Sequence, residues 1–383
     1  ATARTTAPNV AGPWEATALV QWRRAESLNV RGLDPAAALA SADQAARKAI
    51  ELSPQSAEGH HALGGSLMVA ALNSAAHGGD PELLLAQAID HLERAATIED
   101  GNPVIADDLG FAYDRRARYH LGLGLDPRDD LEKALTQYEQ ALVLSPGYAN
   151  AHNNSGIAYL RRALWEHRSG LDPVPALDLA ESTFRQALDI NPRYAYAWIN
   201  LGTCLRIRAQ ALLTQGTDPE PILARGRQAF DTGIPINPTL AYAHKERAIL
   251  ELVAAQAAID QGKASRDSLT RAAAAIRVAL DGNPSSSDAW QTSAEVHRLK
   301  ATALRNTGSP ARREVARGLA EAERALELNP ASWQAMITSA ALHLLRQPRA
   351  TAEACELLDA AVSANPLAKH DAAPLRRECE GDQ

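Results

Sequence analysis

LSPGYANAHNNSGIAYLRRALWEHRSGLDPVPALDLAESTFRQALDINP, residues 144–192, opens on Leu144-Ser145-Pro146, breaks at Gly170-Leu171-Asp172-Pro173 and closes on Ile190-Asn191-Pro192. Pro146 and Pro192 stand 46 residues apart, and the same step places Pro8, Pro54, Pro238, Pro284 and Pro330 on one grid. The grid's vacancy at Asp100 is followed by Gly101, Asn102 and Pro103. The internal break keeps the period too, at Pro35, Pro81, Pro127, Pro173 and Pro219. A fixed period of this length with two breaks per step predicts an array in which each repeat is a pair of helices.

The breaks explain how the pairs turn. In Gly32-Leu33-Asp34-Pro35, repeated from Gly124, Gly170 and Gly216, glycine supplies the left-handed residue that ends one helix and aspartate caps the next. Proline suits the following first turn because no amide donor is needed there. At the Ser-Pro and Asn-Pro breaks, proline cannot continue the helix and drives its predecessor away from helical angles. Between breaks, Ala149 to Arg168 and Pro173 to Ile190 carry apolar or small residues at helical spacing, which predicts helices of about 17–20 residues and rods of roughly 25–30 Å. Ala49, Ala95, Ala141, Ala187, Gly233, Ala279 and Ala325 recur five residues before the grid, where small side chains let helices approach. Three residues earlier stand the larger knobs Leu92, Tyr138, Phe184, Phe230 and Ile276.

Ala197-Trp198-Ile199-Asn200-Leu201-Gly202, with Ala180, Phe184, Ala187, Pro192 and Pro238, resembles the Trp, Leu-Gly, Tyr, Ala, Phe, Ala, Pro signature of the tetratricopeptide repeat (TPR) family. Leu109-Gly110 with Tyr113, and Gly156 with Tyr159, fall in the same slots, and the resemblance runs from Trp14 to Pro366. It implies an all-α, right-handed TPR-like superhelical solenoid of about eight antiparallel helix pairs. The repeats are expected at residues 11–56, 57–102, 103–148, 149–194, 195–240, 241–286, 287–332 and 333–368, with a tail over 1–10 and a cap or tail over 369–383. A TPR unit has about 34 residues, so the additional length falls around the Gly-x-Asp-Pro corner; the last unit, Pro330 to Pro366, is near family length, as suits a cap. The long repeat also resembles arrays attached to bacterial serine/threonine kinases.

Composition narrows the function. The 383 residues include 39 basic and 46 acidic side chains, a net charge of −7 that argues against general nucleic-acid binding. With 3 Phe, 2 Met, 8 Tyr and 6 Trp, the chain has too few bulky groups for several globular cores. No apolar run approaches the ~18 residues of a membrane span, and no helix shows a basic face with aromatic insertion residues, so no membrane partner is expected. Cys204, Cys355 and Cys379 are odd in number and lack CxxC spacing, which predicts neither a disulfide framework nor a zinc ribbon, an exposed Cys379, and a cytoplasmic protein. The start, Ala1 to Val10, lacks an initiator methionine and signal-peptide blocks, so a fragment of a longer protein is expected. No phosphate-loop or zinc-hydrolase pattern occurs; His60, His152 and His244 share the slot of Trp198 and Trp290 and are expected to pack. No enzymatic activity, catalytic residue, metal or cofactor is expected.

By the resemblance, first helices line the concave side, so residues repeating there form ladders. Eight residues after the grid stand Asp108, Asn154, Asn200 and Glu246; Arg115 and Arg161 follow seven later on the same face, and Asn150, Tyr196 and Tyr242 stand four after the grid. In TPR proteins that bind extended peptides, the slot of Asn154 and Asn200 supplies amides that grip peptide backbone, since an amide offers both donor and acceptor. The plainer alternative is that these amides bond to the neighbouring repeat or to water. Arg115, Arg161, Arg206 and Lys245 suit an acidic side chain or a C-terminal carboxylate. The column Arg116, Arg162 and Arg208 is read as structural. A non-catalytic scaffold holding a protein or peptide segment in the concave groove is the leading expectation. The alternatives are a regulatory or substrate-recruiting domain of a bacterial kinase, and a self-assembling element formed by homo-oligomerisation.

Overall fold

The computed structural model describes residues 9–76, 78–346 and 351–380. Among them the regular structure is entirely helical. Pairs are formed by α1 (Ala11–Val30) with α2 (Ala36–Leu52), α3 (Ala57–Ala76) with α4 (Glu82–Ile98), α5 (Pro103–Gly122) with α6 (Arg128–Leu144), and α7 (Ala149–Arg168) with α8 (Val174–Ile190). There follow α9 (Ala195–Thr214) with α10 (Glu220–Gly233), α11 (Ala241–Asp260) with α12 (Arg266–Gly282), α13 (Ser287–Asn306) with α14 (Arg312–Leu328), and α15 (Trp333–Arg346) with α16 (Thr351–Ala364); α17 (Ala368–Glu380) comes last.

Both turns have a visible chemical cause. Gly32, Gly78, Gly124, Gly170, Gly216, Gly262 and Gly308 all take φ between 66° and 77°, the left-handed region in which a Cβ would be strained. The aspartate two residues later accepts an N–H of the next helix: Asp34 from Ala36 at 2.9 Å, Asp172 from Val174 at 3.0 Å, Asp218 from Glu220 at 3.1 Å. Gly262 and Gly308 hold the same conformation although no Asp-Pro follows them.

Within a pair, the glycine of the Leu-Gly step receives the knob of the second helix. A Cβ on Gly110 would lie 2.6 Å from the Tyr138 ring, one on Gly202 2.8 Å from Phe230, and one on Gly64 2.7 Å from Leu92. The knobs are fully buried, and burying a side chain of this size contributes roughly 1.5–3 kcal/mol. In the pair α11–α12 the two slots hold Ala248 and Ile276, a smaller knob against a filled position.

The chain divides into two compact units, one of residues up to 121 with 126–158, the other of residues 122–125 with those from 159 onward. The first unit is built on Trp22, Leu63, Leu92, Leu109, Leu131 and Tyr138; a Cβ on Gly65 would lie 2.1 Å from the Trp22 ring, so the indole of α1 packs directly on the backbone of α3. The second has its core in Leu223, Phe230 and Leu250, then Leu269, Ile276 and Leu299, then Leu344, Leu358 and Ala372. Its own beginning and end meet: Arg168 lies over the Trp333 ring at 4.8 Å, and the His167 and His370 rings are 6.3 Å apart.

The cysteine expectation is corrected. Cys355 and Cys379 form a disulfide with Cα atoms 5.9 Å apart, and Cys379 is buried. Adjacent packing of α16 and α17 brings together two residues 24 apart in sequence, a spacing that no short motif announces. Cys204 is free and buried in the core.

Candidate protein-binding face

In the first unit two ladder residues, Asn154 and Asp108, are engaged with a neighbouring repeat. Asn154 on α7 donates through Nδ2 to both carboxylate oxygens of Asp107 on α5, at 3.0 and 3.2 Å. Asp107 is buried, and that burial, with Asp108 beside it, pushes its carboxyl up to about 7. Asp108 meets His61 Nε2 at 2.7 Å and Arg23 at 3.8 Å. Asn150 is exposed at the start of α7. Arg115 lays its guanidinium over the Phe111 ring at 4.0 Å and lies 3.9 Å from Asp114.

In the second unit, Tyr196 and Tyr242 are among the exposed large side chains, at 42% and 41%. They occupy equivalent positions on α9 and α11, one period apart. Lys245 holds its ammonium 5.6 Å from the Tyr242 ring, 3.3 Å from Glu246 and 3.6 Å from Asp288. Arg206 reaches Glu246 at 3.2 Å and Gln210 at 2.6 Å. Burial alone would raise the Glu246 carboxyl, but Arg206 and Lys245 carry it below its ordinary value. Tyr242, Lys245 and Arg206 are thus brought together around Glu246, whereas Asn200 is buried at 5% exposure and Arg161 is half-buried on α7.

Three residues were missed from sequence. Tyr194 stands 6.3 Å from Tyr196 edge to face, and extends the aromatic surface; its signal was the recurrence of Tyr148 two residues after the preceding grid proline. Arg168 and Trp333, which meet across the second unit, carry no sequence signal because 165 residues separate them. The arginine column pairs with acids: Arg116 with Asp130 at 2.6 Å, Arg162 with Glu166 at 2.9 Å, Arg208 with Asp178 at 2.6 Å. A 520 Å³ cavity lies beside Arg208, lined also by Glu181, Arg185 and Arg225, and these arginines close on Glu181.

Among the described residues, no group of three or more His, Cys, Asp or Glu side chains is placed to hold a metal, and no helix is long and apolar enough to cross a membrane.

These features define an all-α array of antiparallel helix pairs with a polar, tyrosine-bearing first-helix face. Residues 128–162 match a family model described as TPR repeat; the segment spans α6, the Ser-Pro turn and much of α7, where no corner insertion intervenes. Among solved structures, the chain is similar to a tetratricopeptide repeat protein from Parabacteroides merdae at 14% identity, covering 85% of this chain and 99% of that one with a TM-score of 0.49. It is likewise similar to pilF of Pseudomonas aeruginosa at 17% identity, 74% and 99% coverage and TM-score 0.43. A thermophilic TPR protein of Thermus thermophilus is similar at 18% identity, 63% and 100% coverage and TM-score 0.41. No curated protein matches the chain.

Proposed function

We propose that the chain is a non-catalytic scaffold that takes a segment of a partner protein on the first-helix face of its second unit. The observation that carries this reading is the pair of exposed tyrosines, Tyr196 and Tyr242, repeated at one period beside Lys245 and Arg206. Large aromatic side chains with polar tips give contact area at low entropic cost and are enriched at interfaces. The two cations favour an acidic side chain or a terminal carboxylate, in competition with Glu246. In the first unit, the exposed amide of Asn150 extends the same reading to extended backbone.

A photoreactive phenylalanine analogue placed at Tyr196 or Tyr242 is expected to cross-link one recurrent protein in cells. The same group at Val278, an exposed position on α12, is expected not to. Substituting both tyrosines with alanine should lower recovery of that protein at least tenfold while the helical signal and melting temperature stay within a degree or two. Equal cross-linking from Val278 would refute the assignment of the face.

A further inference from the structure

α17 is held by few contacts of its own. Among its described side chains only Ala368, Ala372 and Cys379 are buried, with Leu375 packed partly buried beside them, and this brings little apolar area out of water. Pro374 lies inside the helix and removes one of its hydrogen-bond donors. An exposed ion pair of Arg376 with Asp359 of α16 adds little, and two stronger tethers compensate. At one end Asn365, itself fully buried, donates to the Gly122 carbonyl at 2.7 Å. At the other, Cys379 is bonded to Cys355 of α16.

The helix held in this way covers a charged group. His370 brings its ring within 6.3 Å of His167, and Asp371 acts electrostatically on Arg168. Arg168 stacks on Trp333 at 4.8 Å. Among the described residues it forms no ion pair within 4.0 Å. Arg168 is half-buried, and a guanidinium partly withdrawn from water without a paired carboxylate is costly.

We propose that α17 is a redox-releasable clasp: with Cys355 and Cys379 bonded it closes over the end of α7, and reduction frees it and opens Arg168 to an acidic segment of the partner. The gating stands on the second unit alone, and only the nature of the occupant rests on the scaffold reading above. Release requires a dithiol reductant. One of its thiolates attacks a sulfur of the Cys355–Cys379 bond to form a mixed disulfide, and its second thiolate displaces that bond. Two electrons and two protons pass to Cys355 and Cys379 as thiols, and the reductant leaves as its own cyclic disulfide.

The test uses the full chain purified without reductant, dithiothreitol as the dithiol, phenylglyoxal as an arginine-specific label, and hydrogen exchange read by mass spectrometry. Reduction is expected to speed labelling of Arg168 and exchange over residues 368–380 at least fivefold, with α9 unchanged and the effect reversed on reoxidation. Cys379→Ser should behave as the reduced form in either condition. Unchanged protection of Arg168 and α17 under reduction and in Cys379→Ser overturns the proposal, as does alkylation of both cysteines before any reductant is added. If reduction releases α17 but cross-linking at Tyr196 and Tyr242 finds no partner, the clasp stands and the binding reading falls. The converse pattern removes only the clasp.

Discussion

A ring N–H placed six residues beyond the turn proline is what Trp198, Trp290 and His244 have in common. Each donates to the carbonyl of Pro192, Pro284 or Pro238 at 2.9 Å, and His152 and His60 approach Pro146 and Pro54 at 3.3 and 3.4 Å. The sequence shows why tryptophan and histidine share a slot only as a matter of ring packing; the donor role depends on where the turn carbonyl points, which periodicity does not specify. His244→Phe keeps the ring and loses the bond, so a cost of about 0.5–1.5 kcal/mol is expected, visible as a lowered melting temperature. His244→Trp should restore it, and equal stability of the phenylalanine variant would remove the hydrogen bond from the account. Asp107 makes a second prediction at this scale. Its carboxyl, near 4 when unfolded, is raised to about 7 by burial and by Asp108. A raised carboxyl favours folding while protonated, so its contribution is complete below pH ~4 and is lost as pH rises through 7. Asp107→Asn stays neutral and still offers Asn154 a carbonyl oxygen. Its advantage over wild type in hydrogen exchange of α5 should therefore be small at pH 4 and grow to a few kcal/mol by pH 8, and a difference independent of pH would contradict the assignment.

Between helices, the knob and the glycine opposite it act as one unit. The alternation of Ala, Leu-Gly and aromatic slots makes this packing legible in the sequence itself, because a helix pair shares one period and its contacts are local. How far each knob reaches was not legible: Tyr138 and Phe230 press on Gly110 and Gly202 at distances that leave no room for a methyl group. Gly202→Ala is expected to cost about 1–3 kcal/mol through overpacking, measured by chemical denaturation. Phe230→Leu costs stability alone by leaving space, yet in the Gly202→Ala background it should recover part of the loss, a coupling of about 0.5–1 kcal/mol or more. The natural combination of Ala248 with Ile276 in the next pair already has this size relation. Strict additivity of the two substitutions would mean that α9 and α10 do not meet at this point.

At the scale of the chain, a 46-residue period predicts everything that repeats and nothing that occurs once. The helix pairs, their corners and their small-residue slots follow from residues such as Gly170, Asp172 and Ala187. The cross-repeat partners of Asn154 and Arg206, 47 and 40 residues away, depend on the rise from one pair to the next. Least legible is the socket for Asn365, whose partner Gly122 lies 243 residues earlier. At other Asn-Pro turns the asparagine is exposed, as Asn191, or half-buried, as Asn329, and accepts the N–H two residues on. Two corner glycines separate this singular contact from the repeated one. Gly124 and Gly170 have φ of 73° and 74°, so alanine at either costs about 1–2 kcal/mol in backbone strain. Space differs: a Cβ on Gly170 meets nothing within 4 Å, whereas one on Gly124 would lie 2.6 Å from Asn365 Oδ1 and from Pro366 Cδ. Gly170→Ala should therefore lower stability while leaving exchange in α16 and α17 as in wild type. Gly124→Ala should add faster exchange across residues 361–380, and a Gly124→Ala protein whose C-terminal amides stay as protected as those of Gly170→Ala would show that Asn365 does not seat at this corner in solution.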